Sequence, residues 1–266
     1  MERPTHISKF GGSILTDSDS FRRVAQVLNR QSGRNIAVVS ALGARSGELK
    51  VTDQLYARQI DQVMDRYQAI AADLGCHRTL GYIDQLRGHL PQARSEDLVV
   101  SRGEWLSARL LAEYMSAEFI DGTELIQVHN HRVHRNTSSR AARRLENTSR
   151  QVVVPGFYGE NLQDRVETLS RNGSDLTATV LAQATQAEQL TLWKDVNGVY
   201  CSDPRLNPSA RLHEVLSFDF IQQNPSQVIH PDAASYIRGF QTDIVVRNVF
   251  NLNHPGTRIT EAVAGY

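Results

Sequence analysis

Lysine is almost absent from this chain: of its 29 basic residues, only Lys9, Lys50 and Lys194 are not arginine. A lysine ammonium is a compact three-donor point charge on a flexible stem, whereas guanidinium is a broad planar fork. The three positions that keep lysine are therefore worth following. Cysteine is scarce too. Cys76 and Cys201 are too few for a disulfide framework and are not spaced as metal pairs, which fits a reducing compartment. No apolar run reaches the length of a membrane span, and Met1 is followed by Glu2, Arg3 and Pro4 rather than a signal-peptide core. The 29 basic residues are balanced by 29 acidic ones, so no charge excess points to a nucleic acid or a membrane surface as partner. There is no internal repeat and no low-complexity linker. The expectation is a soluble, cytoplasmic, single-domain protein over residues 1–266.

The apolar runs are short, rich in valine and isoleucine, and bounded by turn residues. Residues 6–9, 36–39, 152–154, 190–193 and 244–246 read as strands, most of them buried on both faces. Helical spacing places Phe21, Val24, Ala25 and Leu28 on one face of a helix over 20–29. It does the same for Ile60, Val63, Met64, Tyr67 and Ile70 over 55–74. Segments 104–115 and 174–184 complete an alternation of strands and helices. That alternation predicts an α/β fold with a largely parallel sheet covered on both faces. His129, His131 and His134 lie in the most polar stretch without cysteines or carboxylates beside them, and read as solvated loop residues rather than a metal site. Arg140, Arg143 and Arg144 read as the wet face of a helix.

Four segments carry candidate chemistry. In the first, a strand runs into Lys9-Phe10-Gly11-Gly12-Ser13, with a helix starting near Ser18 or Ser20. Paired glycines let backbone N–H groups approach phosphate, a helix N-terminus favours an anion, and Lys9 adds a full charge. A plain Gly-Gly turn explains the same residues as well. In the second, Arg171-Asn172-Gly173-Ser174-Asp175 opens a helix at Leu176. Ser174 or Asp175 would serve as an ordinary cap, while Arg171 could grip a carboxylate bidentately. The third is Trp193-Lys194-Asp195-Val196-Asn197-Gly198-Val199-Tyr200 with Asp203-Pro204-Arg205 after it, either a hairpin at Asn197-Gly198 or a nucleotide contact. The fourth is Ser101-Arg102-Gly103-Glu104, with Glu104 expected in the first turn of a helix, where a carboxylate commonly complements the dipole.

Taken in order, these segments resemble the catalytic domain of aspartate kinase, within the amino-acid kinase superfamily. The matching residues are Lys9 to Gly12; Ser40-Ala41 followed by Thr52-Asp53-Gln54-Leu55; Gly103-Glu104 with Ser107-Ala108; Pro155-Gly156-Phe157; Gly173-Ser174-Asp175; Asp195 to Arg205; His230-Pro231; and Arg247-Asn248 with Gly256-Thr257. The match runs from about Lys9 to Thr257. The resemblance implies a three-layer α/β/α fold with a mostly parallel sheet of about eight strands. It implies an acceptor-binding half over about residues 1–165 and a nucleotide-binding half over about 166–266. The implied reaction transfers phosphate from ATP with Mg²⁺ to L-aspartate, and the implied assembly is a homodimer. Lys9 would neutralise the transferring group, with Asp175 holding it. Ser40, Thr52, Glu104, Arg171, Asn172 and Ser174 would bind the acceptor, and Gly11, Gly12, Ser13, Lys194, Asp195, Tyr200 and Arg205 the nucleotide.

The chain also departs from the family pattern. With Tyr266 as its last residue, the expectation is of no C-terminal ACT domains and hence no feedback regulation within the chain. Gln227 stands where the family has a nucleotide-side lysine, and Lys194 where it usually has threonine. Lys194 is thus expected to replace the missing charge. Asn172 replaces a glycine, and Ser13-Ile14 replaces Thr-Ser beside the acceptor. Two further readings follow from these departures: a kinase of a different amino acid or carboxylate, or a non-catalytic nucleotide-binding regulatory subunit.

Overall fold

A computed structural model describes residues 4–45, 47–170, 173–224, 233, 236 and 242–261. Arg171, Asn172, Gln227, His230 and Pro231 lie outside the described residues, so the expectations for them have no structural counterpart here. The strands are β1 (Thr5–Phe10), β2 (Arg34–Val39), β3 (Glu118–Phe119), β4 (Val128–His129), β5 (Arg132–Val133), β6 (Gln151–Pro155), β7 (Tyr158–Glu160), β8 (Val166–Thr168), β9 (Gln189–Lys194), β10 (Val215–Ser217), β11 (Asp243–Asn248) and β12 (Thr257–Thr260). The helices are α1 (Ser18–Arg30), α2 (Val51–Tyr56), α3 (Ile60–Leu74), α4 (His77–His89), α5 (Glu96–Met115), α6 (Gly122–Leu125), α7 (Thr137–Leu145), α8 (Gly173–Ala184) and α9 (Phe218–Gln223).

Eight strands form one sheet in the order β10-β12-β11-β9-β1-β2-β6-β3, and β4-β5 and β7-β8 are separate two-stranded ribbons. From β11 across to β3 all pairings are parallel. Only β12 runs antiparallel to its neighbour β11, with β10 parallel to β12. The expected α/β architecture is therefore observed. All five strands read from sequence are present, each a residue or more longer than its apolar run.

Alternation along the strands sorts side chains onto two helical layers. Phe10, Ala37, Val39, Val153 and Trp193 pack with α1, α3, α4 and α5 on one face. Ile36, Val38, Val152, Val154, Leu190 and Leu192 pack with α7, α8 and α9 on the other. Ile7 also belongs to the second face, so Lys9, two residues further along β1, points toward α8. By the same period Lys194, two residues after Leu192, points the same way. Among the described residues no helix is long and apolar enough to cross a membrane.

Three helix expectations need correction. The periodic segment 55–74 is two helices, α2 and α3, because Arg58 takes a left-handed backbone with φ 56° and breaks the run. Glu104 is not in a first turn. Ser95 caps α5, accepting from the Leu98 N–H, so Glu104 lies in the middle of that helix. Ser174 and Asp175 are not caps either: α8 begins at Gly173, which puts both in its first turn. The three arginines of α7 sit where expected on its polar side, with Arg140 bonded to Glu160 and Arg144 to Glu124.

Candidate active site

In a parallel sheet, ligands settle beyond the carboxyl ends of strands where the strand order reverses. β1 is flanked by β2 on one side and β9 on the other, so its carboxyl end is such a switch point. Lys9 lies one residue from that end, buried, and its Nζ is 2.7 Å from Asp175 Oδ1 on α8. A side chain added at Gly11 would place its Cβ 3.2 Å from Lys9 Nζ, so the ammonium lies directly against the glycine loop.

The loop itself is tight. The N–H groups of Ile14 and Leu15 both donate to Gly11 O, and the Gly43 N–H donates to Leu15 O. A Cβ on Gly43 would come within 2.1 Å of Gly12 O, so the two loops touch backbone to backbone and leave no room for a side chain between them. Gly12 is half-buried and Ser13 exposed. At the amino end of α1, Asp17 accepts from the Ser20 N–H and closes a capping box, so that amide is already engaged within the chain.

Lys194 ends β9. The register pairs Phe10 with Trp193, so Lys194 is the next residue out on the strand beside Lys9 and faces the same helix. Burial first, and then the charge on Lys9, push the Lys194 ammonium down to about 8, with Asp175 and Asp195 opposing. Lys194 thus feels both the Lys9 ammonium, which opposes its charge, and the Asp175 and Asp195 carboxylates, which favour it. Beyond it, Asp195 Oδ2 meets Arg205 Nη2 at 3.1 Å on the surface. Tyr200, half-buried, forms an antiparallel bridge with Leu212, and the Val199 N–H donates to Thr257 Oγ1 at 2.8 Å. Asn197-Gly198 is therefore not a hairpin turn joining β9 to a returning strand. Asn197 Oδ1 instead accepts from Asn248 Nδ2 at 2.8 Å, tying the segment to the end of β11.

On the other side of β1, Ser40 follows β2 and its N–H donates to Phe10 O at 3.1 Å. Thr52 is half-buried in α2, whose first residue donates its N–H to Leu42 O. Glu104 reaches the same place from α5. It is 4% exposed, and its Oε2 has no hydrogen-bond partner. Burial pushes its carboxyl up to about 8, against the opposing pull of the Ala41 and Glu104 amides and the charges of Lys9 and Arg102. A buried carboxyl with a bare oxygen is suited to a cationic donor that is not part of the chain. Ser174, in the first turn of α8, packs against Gly156, where a Cβ would stand 2.6 Å from its own. The structure thus gathers Lys9, Gly11, Gly12, Ser40, Glu104, Ser174, Asp175 and Lys194 around the end of β1, whereas Arg205 is exposed at the rim. Sequence reasoning passed over Gly43 and gave no role to Arg102 within its fourth segment. Arg102 lies over the rings of Trp105 and Tyr158 at 5.6 and 5.4 Å.

Residues 4–248 match the amino acid kinase family along most of the chain. The chain belongs to that family. Among curated relatives, the bifunctional aspartokinase/homoserine dehydrogenase of Daucus carota is 29% identical over 97% of this chain and 32% of its own length. An aspartokinase of Rickettsia felis is 26% identical over 96% of this chain and 60% of its own length. Among solved structures, the aspartate kinase of Clostridium acetobutylicum superposes with a TM-score of 0.88 at 26% identity, covering 99% of this chain and 64% of that one. A UMP kinase of Bacillus anthracis shares the fold at a TM-score of 0.59 and 16% identity, covering 99% and 98% of the two chains. This amino acid kinase family member thus spans from 32% to 64% of the length of the aspartokinases named here.

Proposed function

We propose that the protein phosphorylates the side-chain carboxylate of a small amino acid, with L-aspartate as the first candidate and MgATP as donor. The observation that carries the reading is the buried Lys9–Asp175 pair at the switch point, with Lys194 beside it and Glu104 across from it. The aspartokinase relatives support the choice of acceptor.

The chemistry asks little of an acid or base. A carboxylate with a pKa of about 3.9 is already ionised at neutral pH and needs no proton removed. Its oxygen bonds to the γ-phosphorus while the bond from that phosphorus to the β–γ bridging oxygen breaks, leaving ADP and an acyl phosphate. The obstacle is bringing two anions together in line, which positive charge and fixed geometry relieve. Lys9, held by Asp175, neutralises the transferring group against the Gly11-Gly12 amides. Lys194 supplies a second charge on the nucleotide side, with Ser13, Asp195, Tyr200 and Arg205 as further contacts. Glu104 takes the acceptor's ammonium on its bare oxygen, and Ser40, Thr52, Ser174, Arg171 and Asn172 complete the acceptor contacts. A magnesium ion would come with the nucleotide, its ligands being mainly phosphate oxygens and water, and would supply further charge neutralisation at the transferring group. In this arrangement residues up to about 165 form most of the acceptor side and later ones most of the nucleotide side, while the Gly11–Ser13 loop reaches the nucleotide and Arg171, Asn172 and Ser174 reach the acceptor.

The test is ADP release from MgATP across a panel of amino acids. Turnover with aspartate supports the reading. Turnover only with another carboxylate amino acid keeps the reaction and changes the substrate, and no turnover with any of them ends it.

A further inference from the structure

The residues that α3 buries are apolar except for two, and these are consecutive: Arg66 and the phenol of Tyr67. Each holds one of the two loops at the end of β1. Arg66 Nη2 donates to Thr16 O at 2.9 Å, at the far end of the glycine loop. Tyr67 is fully buried, and its hydroxyl is saturated. It donates to Gly103 O at 2.7 Å, accepts from the Leu42 N–H at 3.3 Å, and shares a third hydrogen bond with Ser107 Oγ at 2.9 Å. A phenol has one donor and two acceptor sites, so all its capacity is used.

The identities of those partners matter. Leu42 follows Ala41, whose amide faces the Glu104 carboxyl, and Gly103 precedes Glu104 itself. Gly103 also brings the two backbones together, since a Cβ there would stand 2.7 Å from Ala41 Cβ. One hydroxyl therefore bridges both sides of the contact that sets where Glu104 lies. We infer that Tyr67 is a positioning residue for the acceptor end of the site, fixing the Ala41-Leu42 segment to α5 and thereby Glu104 relative to Lys9. The inference rests on the proposed role of Glu104 at the acceptor ammonium.

Removing the hydroxyl has an uneven effect on its partners. Gly103 O lies within α5 and keeps its helical partner, but the Leu42 N–H is left buried without an acceptor. The segment must shift to find one, and the Ala41 amide shifts with it. The charged or titratable groups facing Glu104 are Lys9 from β1, Arg102 from α5, Tyr67 from α3 and Tyr158 from β7. None of the others is altered by Tyr67→Phe.

The experiment compares wild type, Tyr67→Phe and Ile70→Val, the last a buried apolar change on the same helix. Steady-state kinetics with MgATP and L-aspartate, or whichever carboxylate amino acid the panel shows to turn over, are paired with titration of the Glu104 carboxyl by ¹³C NMR. For Tyr67→Phe the acceptor KM should rise about tenfold, as expected from one or two lost hydrogen bonds, with the ATP KM within about twofold. The Glu104 titration should move upward as the Ala41 amide withdraws. Ile70→Val should change neither. If Tyr67→Phe does not fold, Ser107→Ala removes one of the three bonds and should move both readouts in the same direction by less. Unchanged acceptor KM and unchanged Glu104 titration in a folded Tyr67→Phe protein overturn the inference. A wild type that turns over no amino acid, but whose Glu104 titration still moves in Tyr67→Phe, overturns the acceptor reading and leaves the positioning role standing.

Discussion

Replacing Asp175 with asparagine should do far more harm to stability than replacing the whole Lys9–Asp175 pair. The two groups are 2.7 Å apart and each less than a tenth exposed. At an effective dielectric of about 20, their attraction is on the order of 6 kcal/mol, offset by a desolvation penalty of several kcal/mol for each ion. The net contribution of the pair is therefore small. Removing one partner is different, because it leaves a buried ammonium uncompensated, which typically costs about 3–5 kcal/mol. Here Lys194 faces the same carboxylate, so Asp175→Asn also sets two ammonium groups against each other. Asp175→Asn should lower the melting temperature by on the order of 10 °C. The double variant Lys9→Met/Asp175→Leu should stay within about 1–2 kcal/mol of wild type, since apolar residues of similar volume relieve both desolvation terms. Turnover should fall at least about a hundredfold in both. Urea denaturation and an ADP-release assay on the same preparations provide the readout. A double variant that still turns over would falsify the role given to Lys9. An Asp175→Asn protein as stable as wild type would contradict the burial argument.

Glu104→Gln should raise the acceptor KM at least about tenfold while leaving the ATP KM nearly unchanged, because only the partner of the ammonium is lost. The same variant tests a linkage. With its carboxyl raised to about 8, the folded chain holds a proton that the unfolded chain releases near 4.5. The group's contribution is full below 4.5 and lost as pH rises through 8, so Glu104→Gln should flatten that slope. Lys194→Ala should weaken apparent ATP affinity about tenfold, an effect of one charge-assisted contact. In wild type, nucleotide binding near pH 8 should take up about half a proton as Lys194 becomes fully charged, read by calorimetry in buffers of different ionisation enthalpy. Because its pKa is depressed, Lys194 adds stability above its unfolded value of 10.5 that is lost as pH falls through 8. Gly43→Ala would force a Cβ against Gly12 O and should destabilise by about 1–3 kcal/mol, with a raised KM for ATP, because the glycine loop must move.

The sheet was legible because its strands are compact valine- and isoleucine-rich runs that burial on both faces demands. Lys9 and Lys194 were legible through scarcity, and strand alternation explains why both face α8. Other features were hidden for identifiable reasons. The break between α2 and α3 contains neither glycine nor proline; Arg58 adopts the left-handed region there without any local signal. α4 was missed because it buries little, with Thr79 and Ile83 its buried residues, so it has almost no apolar stripe. α5 was started too late because it is buried nearly all round, which removes the periodicity that marks a helix. Glu104 consequently looked like a dipole partner rather than a carboxyl in the middle of a buried helix. Tyr67 was legible only as one more member of an apolar stripe. Nothing in the sequence says that its hydroxyl meets residues 25 and 36 positions away.

The central claim is transfer of phosphate to a carboxylate, and the product distinguishes it from any other use of ATP. An acyl phosphate reacts with hydroxylamine to give a hydroxamate, whereas a phosphate ester or free phosphate does not. Wild type incubated with MgATP, aspartate and hydroxylamine should form aspartyl hydroxamate in step with ADP, and Lys9→Met should form neither. ADP formed with aspartate but without hydroxamate would contradict the account, as would hydroxamate formed equally well by Lys9→Met.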